Sequence, residues 1–245
     1  MSQIILKGAS KSYDGKETAL RDVSVEFADG VTTAVVGPSG SGKSTLLQMI
    51  NGLVRPSLGS VHVFDRPIDY GQLPELRRQI GYAVQGTGLF PHMTVERNIT
   101  LLARLLGWGT DRIFGRAREL MNLVGLSWDD FAVRYPHELS GGQQQRVGLC
   151  RAMMLNPPIF LLDEPFGALD PVTRQEIHQE FLRLQASEPR TMVLVTHDLR
   201  EAINLAQRLI VLERGRVVQH GPCKEIVNAP SDDFVRTFFR SQLEA

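Results

Sequence analysis

The chain has only two cysteines, Cys150 and Cys223, among its 245 residues. Neither belongs to a CxxC pair, which excludes a disulfide framework and a cysteine-ligated metal as organising principles; a reducing compartment and buried small-residue roles are expected for both. No apolar run approaches the roughly 18 to 20 residues that a bilayer-spanning helix needs, so any membrane role has to be peripheral. The polar start Met1-Ser2-Gln3 lacks a signal-peptide pattern. An excess of either charge is missing as well, with 27 Lys and Arg against 27 Asp and Glu. That balance offers no basic field for nucleic acid and no acidic tail for disorder. Internal repeats and long linkers are absent, and the length fits one large α/β domain with an insertion.

What is present begins with Gly37-Pro38-Ser39-Gly40-Ser41-Gly42-Lys43-Ser44, which follows the apolar run Thr33 to Val36 and opens the helical pattern Thr45 to Ile50. In that setting it reads as a phosphate-binding loop. Its glycines permit positive φ and close approach of backbone N–H groups to phosphate oxygens, at a helix start whose partial charge favours anions. Lys43 can reach the β and γ phosphates and the Ser44 hydroxyl can ligate Mg²⁺. The alternative is a Gly/Ser-rich loop that only caps a helix.

A second glycine-bearing loop runs into a helix at Leu139-Ser140-Gly141-Gly142-Gln143, followed by the apolar face Leu149, Ala152, Met153. Ser140 as N-cap and Gln143 three residues on make a capping box. The same exposed N–H groups also make an anion site, so the cap does not exclude function. Two such helix starts about a hundred residues apart suggest two surfaces that grip one nucleotide.

Three parts follow along the chain. Strand patterns at Ile4 to Lys7, Ala19 to Phe27, Thr32 to Val36, Ser60 to Val63 and Ile80 to Gln85 are separated by turn chemistry such as Asp29-Gly30. A helical part, about Gly86 to His137, shows the patterns Val95 to Leu106 and Asp111 to Val124 with a break at Gly107-Trp108-Gly109. Buried-strand runs then return at Pro158 to Leu162, Met192 to Thr196 and Leu209 to Leu212, interleaved with helices at Val172 to Gln185 and Leu199 to Ala206. Ligands on such sheets bind beyond the carboxyl ends of the strands, where Asp163, Glu164 and His197 fall.

From about residue 4 to residue 220 the chain resembles the ATP-binding cassette (ABC) ATPases, with each family element in order. Tyr13 matches the adenine-stacking aromatic, Gly37 to Ser44 the Walker A loop, Gln85 the Q-loop, Leu139 to Gln143 the signature, Ile159 to Glu164 the Walker B strand and its glutamate, Ala168-Leu169-Asp170 the D-loop, and His197 the switch histidine. The resemblance implies an α/β P-loop NTPase core with an N-terminal antiparallel β-subdomain and an inserted α-helical subdomain: core and β-subdomain in 1–85 and 140–220, helical subdomain in 86–139, and a short helical tail in 221–245.

It also implies the site. The nucleotide is expected at Tyr13, Gly37, Pro38, Ser39, Gly40, Ser41, Gly42, Lys43, Ser44 and Thr45, with Mg²⁺ held by Ser44, Gln85 and Asp163. Glu164 takes a proton from, or orients, the attacking water, His197 contacts the γ-phosphate, and Gln85 senses metal and water. Ser140, Gly141, Gly142 and Gln143 act on the nucleotide of an opposite subunit, and Asp170 belongs to the D-loop at that dimer contact. Alternatives stay open for single residues: a strand end and cap for Asp163 and Glu164, a structural histidine for His197, a sheet aromatic for Tyr13.

The expected partners are a second cassette, an identical copy by expectation, and integral membrane permease subunits, with an external substrate-binding protein acting indirectly and no nucleic acid. Gln85 to Val95, with Leu89-Phe90-Pro91, resembles the groove by which importer ATPases receive a coupling helix, with buried core as the alternative for Phe90. Among importers, Ile80 to Gln85, Gly88 to His92 and Glu164 to Pro171 look most like glycine betaine and choline osmoprotectant uptake ATPases; polar amino-acid, taurine and nitrate cassettes share much of this. The expected place is the cytoplasmic face of a bacterial inner membrane, held peripherally. Two positions depart from the family pattern: Gly86-Thr87 after the Q-loop glutamine, and Cys150 where alanine is common. With Leu243 so near the last residue, an appended regulatory domain of the kind some osmoprotectant ATPases carry is not expected. A soluble ABC ATPase acting on nucleic acid or ribosomes, and a nucleotide-binding scaffold without turnover, are the other readings. The first lacks its coiled-coil insert or second cassette here, and the second lacks its expected loss of Glu164 or His197.

Overall fold

The computed structural model describes residues 2–13, 17–86 and 88–243. Met1, Thr87 and residues 244 and 245, which the expected start, coupling segment and tail include, lie outside the described residues. The described residues form two compact units, one of residues up to Arg77 together with those from Pro189 onward, the other of Arg78–Glu188.

The first unit begins with β1 (Ser2–Tyr13) and β2 (Glu17–Ala28), which pair antiparallel. Ile4 and Leu6 of β1 are buried between more exposed neighbours, the period-2 pattern of a half-buried strand, and Ala9 is buried three residues on, across a slip in the register with β2. In β2, Asp22 sits at φ 51 where the register with β1 slips, so Leu20 and Val23 both stay buried. β3 (Thr32–Val36) is buried at every position and leads into α1 (Lys43–Ile50). Next come β4 (Leu58–Val63), β5 (Arg66–Pro67) and α2 (Leu73–Arg78); β2, β1, β4 and β5 form one antiparallel sheet in that order.

The second unit starts with β6 (Ile80–Ala83) and continues through α3 (Val95–Leu105), α4 (Thr110–Leu123), α5 (Trp128–Phe131), a 3₁₀ turn at Pro136–Glu138 and α6 (Gly141–Met153) to β7 (Ile159–Asp163) and α7 (Pro171–Ser187). β6 runs parallel to β7, with Ala83 opposite Leu162. The strand expected to reach Gln85 therefore stops two residues early. Gly86 at φ 77 and Glu164 at φ 49 turn both chains away from extended geometry just past this point. Helices α3, α4 and α6 bury Val95, Ile99, Ala103, Ile113, Ala117, Leu120, Met121 and Val147, the one-sided spacing that the sequence pattern shows.

The chain then returns to the first unit with β8 (Thr191–Val195), α8 (Leu199–Leu205), β9 (Arg208–Glu213), β10 (Arg216–Pro222), α9 (Cys223–Asn228) and α10 (Asp233–Leu243). β3 pairs parallel with both β8 and β9, and β10 folds back antiparallel on β9. β10 has no counterpart among the strand patterns of the sequence, whereas α9 and α10 fall within the helical tail expected over 221–245. The hairpin turns on Arg214 and Gly215 at φ 47 and φ 80, two consecutive positive-φ residues of the kind that closes a tight hairpin. The tail is part of a core: Val235 and Phe239 of α10 pack with Leu199, Ala202, Leu209, Val211, Cys223 and Ile226. The Gln242 side-chain Oε1 accepts from the Leu199 N–H at 2.9 Å.

Both cysteines are free and buried. Burial pushes both thiols up from their ordinary range, and the Cys150 Sγ donates to the Leu120 carbonyl at 3.3 Å, tying α6 to α4. Native protein is therefore expected to leave both thiols unreacted toward a disulfide reagent at neutral pH, with full reaction after unfolding; fast labelling of the native chain contradicts their burial. Phe239→Ala is expected to cost about 3 to 5 kcal/mol in a denaturant titration, as for other buried phenylalanines. A change near zero would show that α10 does not share the core.

Candidate functional site

In the first unit, two functional segments leave the carboxyl ends of neighbouring parallel strands: the glycine loop after β3 and His197 after β8, with Val35 opposite Val195. The loop is bent at glycines, two of which leave no room for a side chain. A Cβ on Gly37 would lie 2.1 Å from the Leu212 carbonyl oxygen, and one on Gly42 would lie 2.4 Å from the Ala19 oxygen. Gly42, at φ 102, is the N-cap of α1 and offers no side-chain hydrogen bond to it, and the first turn has no acidic residue. The helix start thus receives neither of the usual internal anions, and its dipole end faces the loop.

Lys43 is only 7% exposed, and its Nζ donates to the Gly37 and Pro38 carbonyls at 2.8 and 2.9 Å. A full positive charge is held inside the loop. The Ser41 Oγ is buried there without a hydrogen-bond partner. An orphaned hydroxyl, a buried cation and an uncapped helix end converge on one stretch of eight residues, and all three suit an anion such as phosphate.

His197 is exposed, so a buried structural histidine does not describe it. Its position is fixed from both sides. The Thr196 N–H donates to Val35 O at 3.3 Å, and Asp198 caps α8 by accepting from the Arg200 and Glu201 N–H groups. Tyr13 ends β1 with its ring 42% exposed and the Lys11 ammonium 5.1 Å from the ring centre. That exposed aromatic face is available for stacking.

In the second unit, Gln85 and Glu164 follow the neighbouring parallel strands β6 and β7, and the Gln85 amide Nε2 lies 3.4 Å from the Glu164 Oε2. Asp163, the last residue of β7, is 2% exposed. Its charge adds to burial in pushing the Tyr82 hydroxyl up to about 12, burial being the larger cause. Glu164 is a non-glycine residue in the left-handed region, at φ 49. Such backbone strain persists only where the surroundings enforce it. It also separates the two carboxylates, one buried in the strand and one in the turn.

The signature turn has the expected capping box. The Gln143 N–H donates to Ser140 Oγ at 3.3 Å, and the Ser140 N–H donates to Gln143 Oε1 at 2.9 Å. Ser140 is exposed, and a hydroxyl accepting one bond still has its own proton to donate. Asp170 caps α7, accepting from the Thr173 N–H at 3.0 Å, and that bond holds its carboxyl below the ordinary range.

Three residues with structural command of this unit escaped sequence reasoning. Asn98, fully buried in α3, accepts from the Phe90 N–H and donates to the Phe90, Met93 and Thr94 carbonyls, which fixes the Phe90–Thr94 loop. Phe90 itself is 41% exposed, so it is not a core residue. Arg151 donates to the Gly88 carbonyl at 2.8 Å and lies 5.7 Å from the Phe90 ring. Gln145, buried in α6, is the third. For Asn98 and Arg151 the sequence signal is a polar residue whose neighbours three and four away are mostly apolar; Gln145, with Gly141, Gly142 and Gly148 at those spacings, carries no such signal.

The Mg²⁺ set expected from sequence, Ser44, Gln85 and Asp163, consists of hard oxygen donors of the type that this ion takes one or two at a time, alongside water and phosphate. Among the described residues no group of three or more His, Cys, Asp or Glu could hold a metal by itself. The donor chemistry fits an ion that is shared with a phosphate.

The family model for "ABC transporter" matches residues 20–167, more than half of the chain. The choline transport ATP-binding protein OpuBA of Bacillus subtilis is 46% identical over 235 residues, covering 96% of this chain and 61% of that protein. The glycine betaine uptake system ATP-binding protein YehX of Escherichia coli is 47% identical over 230 residues, covering 94% and 74%. The chain thus spans about three fifths of the length of the curated OpuBA relative. A solved ATP-binding cassette, dimeric and in a post-hydrolysis state with ADP and Pi, superposes with a TM-score of 0.85 at 35% identity, covering 90% of this chain and 98% of that one. The P-loop cassette fold expected from the motifs is the fold observed, and the chain belongs to the ABC transporter family.

Proposed function

We propose that the chain is the ATP-hydrolysing, energy-coupling subunit of an ABC importer for a small osmoprotectant such as glycine betaine or choline, or for a related quaternary amine or amino acid. The observation that carries the ATPase half is the Gly37–Lys43 loop, where a buried ammonium, an orphaned serine hydroxyl and an uncapped helix start meet. The substrate half rests on the names of the curated relatives, which speak of choline and glycine betaine transport.

In this reading the loop from Gly37 to Thr45 wraps the phosphates, Lys43 balances charge on the β and γ groups, and Tyr13 stacks on the base. Ser44, Gln85 and Asp163 would hold Mg²⁺, which neutralises charge growing on the phosphate oxygens. Glu164 accepts a proton from the water that attacks the γ-phosphorus, and His197 donates to the γ-phosphate oxygens. The bond from the water oxygen to phosphorus forms as the bond to the β-bridging oxygen breaks, giving ADP and phosphate.

Ser140 to Gln143 serve the nucleotide of a second cassette, an identical chain in the simplest assembly, with Asp170 at the same contact. ATP then closes the pair and hydrolysis releases it, a population shift driven by contacts that exist only with the γ-phosphate. The stretch 86–139 carries the exposed Phe90, held by Asn98, toward a coupling helix of integral permease subunits. An external binding protein acts through those subunits. Among the described residues no helix is long and apolar enough to cross a membrane. We place the chain peripherally, on the cytoplasmic face.

Glu164→Gln is expected to bind ATP with unchanged affinity while turnover falls by about a hundredfold or more, the usual contribution of a general base, and to accumulate as a closed pair. Wild-type turnover in that variant removes Glu164 from the mechanism. Lys43→Ala loses a charge-assisted contact worth about 1.5 to 3 kcal/mol, so ATP affinity measured by titration is expected to fall by about ten- to a hundredfold. Unchanged affinity together with unchanged turnover contradicts the phosphate role. Pull-down from membranes should bring an integral permease, and transport of choline or glycine betaine by that complex tests the substrate class.

A further inference from the structure

We propose that Gln145 is a positioning residue that holds the Glu164 backbone in its left-handed turn and fastens that turn to the signature end of α6. The proposal rests on the reading of Glu164 as base and of the Ser140 turn as the surface serving a second cassette.

Gln145 is 8% exposed, although it stands among polar residues in a Gln-Gln-Gln run. Both ends of its amide are used. The Nε2 donates to the Glu164 carbonyl at 2.8 Å, and the Oε1 accepts from the Ala168 N–H at 2.9 Å. One side chain therefore bridges the segment that runs from the base to the start of the D-loop. Only an amide of this length supplies a donor at one end and an acceptor at the other; an ionised glutamate lacks the donor and a methionine lacks both.

Three further features lie along the same seam. Glu164 is in strained backbone geometry, and the bond to its carbonyl is a direct restraint on the peptide that carries the strain. The Gly167 N–H returns to the Glu164 carbonyl at 3.4 Å, so that oxygen is an anchor for the whole turn. On the other side, a Cβ added to Gly142 would lie 2.9 Å from the Ala168 carbonyl oxygen. The signature turn thus packs directly on the segment that Gln145 grips. The surface that meets the partner's nucleotide and the carboxylate that serves the chain's own nucleotide move as one body. A shift of the Ser140 turn on closure is delivered to Glu164 through a single amide, which couples the two ATP sites of a pair.

The test compares full-length wild type with Gln145→Met, Gln145→Glu and Glu164→Gln, reading the kcat and KM of ATP hydrolysis, thermal midpoint and pair formation. Gln145→Met is expected to lower kcat by about ten- to a hundredfold, the scale of a misplacement near one ångström, while KM for ATP stays within about twofold and pairs still form. Gln145→Glu keeps the bond from the Ala168 N–H and loses the one to Glu164; it is expected to show the same split between kcat and KM, and it decides the matter if the methionine variant does not fold. Wild-type kcat in a folded variant, or a rise in KM with kcat unchanged, overturns the positioning role while a stalled Glu164→Gln leaves the ATPase reading standing. If Glu164→Gln itself turns over at the wild-type rate, the underlying reading fails and the positioning role with it.

Discussion

A helix whose N-cap residue supplies no side-chain oxygen, and whose first turn has no acidic residue, lacks the usual internal complement to its positive end, and α1 is built in that way. Its cap is Gly42, a residue with nothing to offer, and the loop before it is folded so tightly against Leu212 and Ala19 that a single methyl group would not fit. The buried Lys43 adds a charge that such an interior tolerates only when paired with oxygens, here the carbonyls of Gly37 and Pro38. Everything proposed for the chain follows from a phosphate completing this arrangement.

The second helix start differs in kind. Ser140 and Gln143 close their own capping box, so α6 is complete as a helix before any ligand arrives. A nucleotide contact of the kind proposed for this turn would be an addition to a helix start that already has its own cap. The strain lies one segment away, at Glu164, where a left-handed carboxylate-bearing residue is pinned through its carbonyl by Gln145. One unit carries the glycine loop with its buried Lys43, and the other the capped Ser140 turn and the strained Glu164.

Much of this was legible in the sequence because hydrophobic periodicity and short motifs are local. β3 is buried at all five positions, Thr32 and Thr33 included, as its β-branched and apolar run suggests, and α3 and α4 begin and end within a residue or so of the pattern. The loop glycines, Lys43 and the Ser140 cap announce themselves by spacing. What stayed hidden depends on partners far along the chain. Nothing local says that β6 ends at Ala83, since the stop comes from turns at Gly86 and at Glu164, the latter on the neighbouring strand. Asn98 and Gln145 look like ordinary polar helix residues until their backbone partners, 8 and 19 or 23 positions away, are known. β10 was overlooked because its half-buried, mixed composition gives no clean alternation, and the turn at Arg214-Gly215 was the signal that could have found it.

The central claim is that a working site needs two chains, one giving the cradle and the other the signature turn. The direct measurement is specific ATPase activity across a dilution series, with sedimentation reporting the state of the chain at each concentration. Activity per chain should rise in proportion to chain concentration while single chains dominate and level off once pairs form. Constant activity per chain down to concentrations where only single chains sediment would contradict the account.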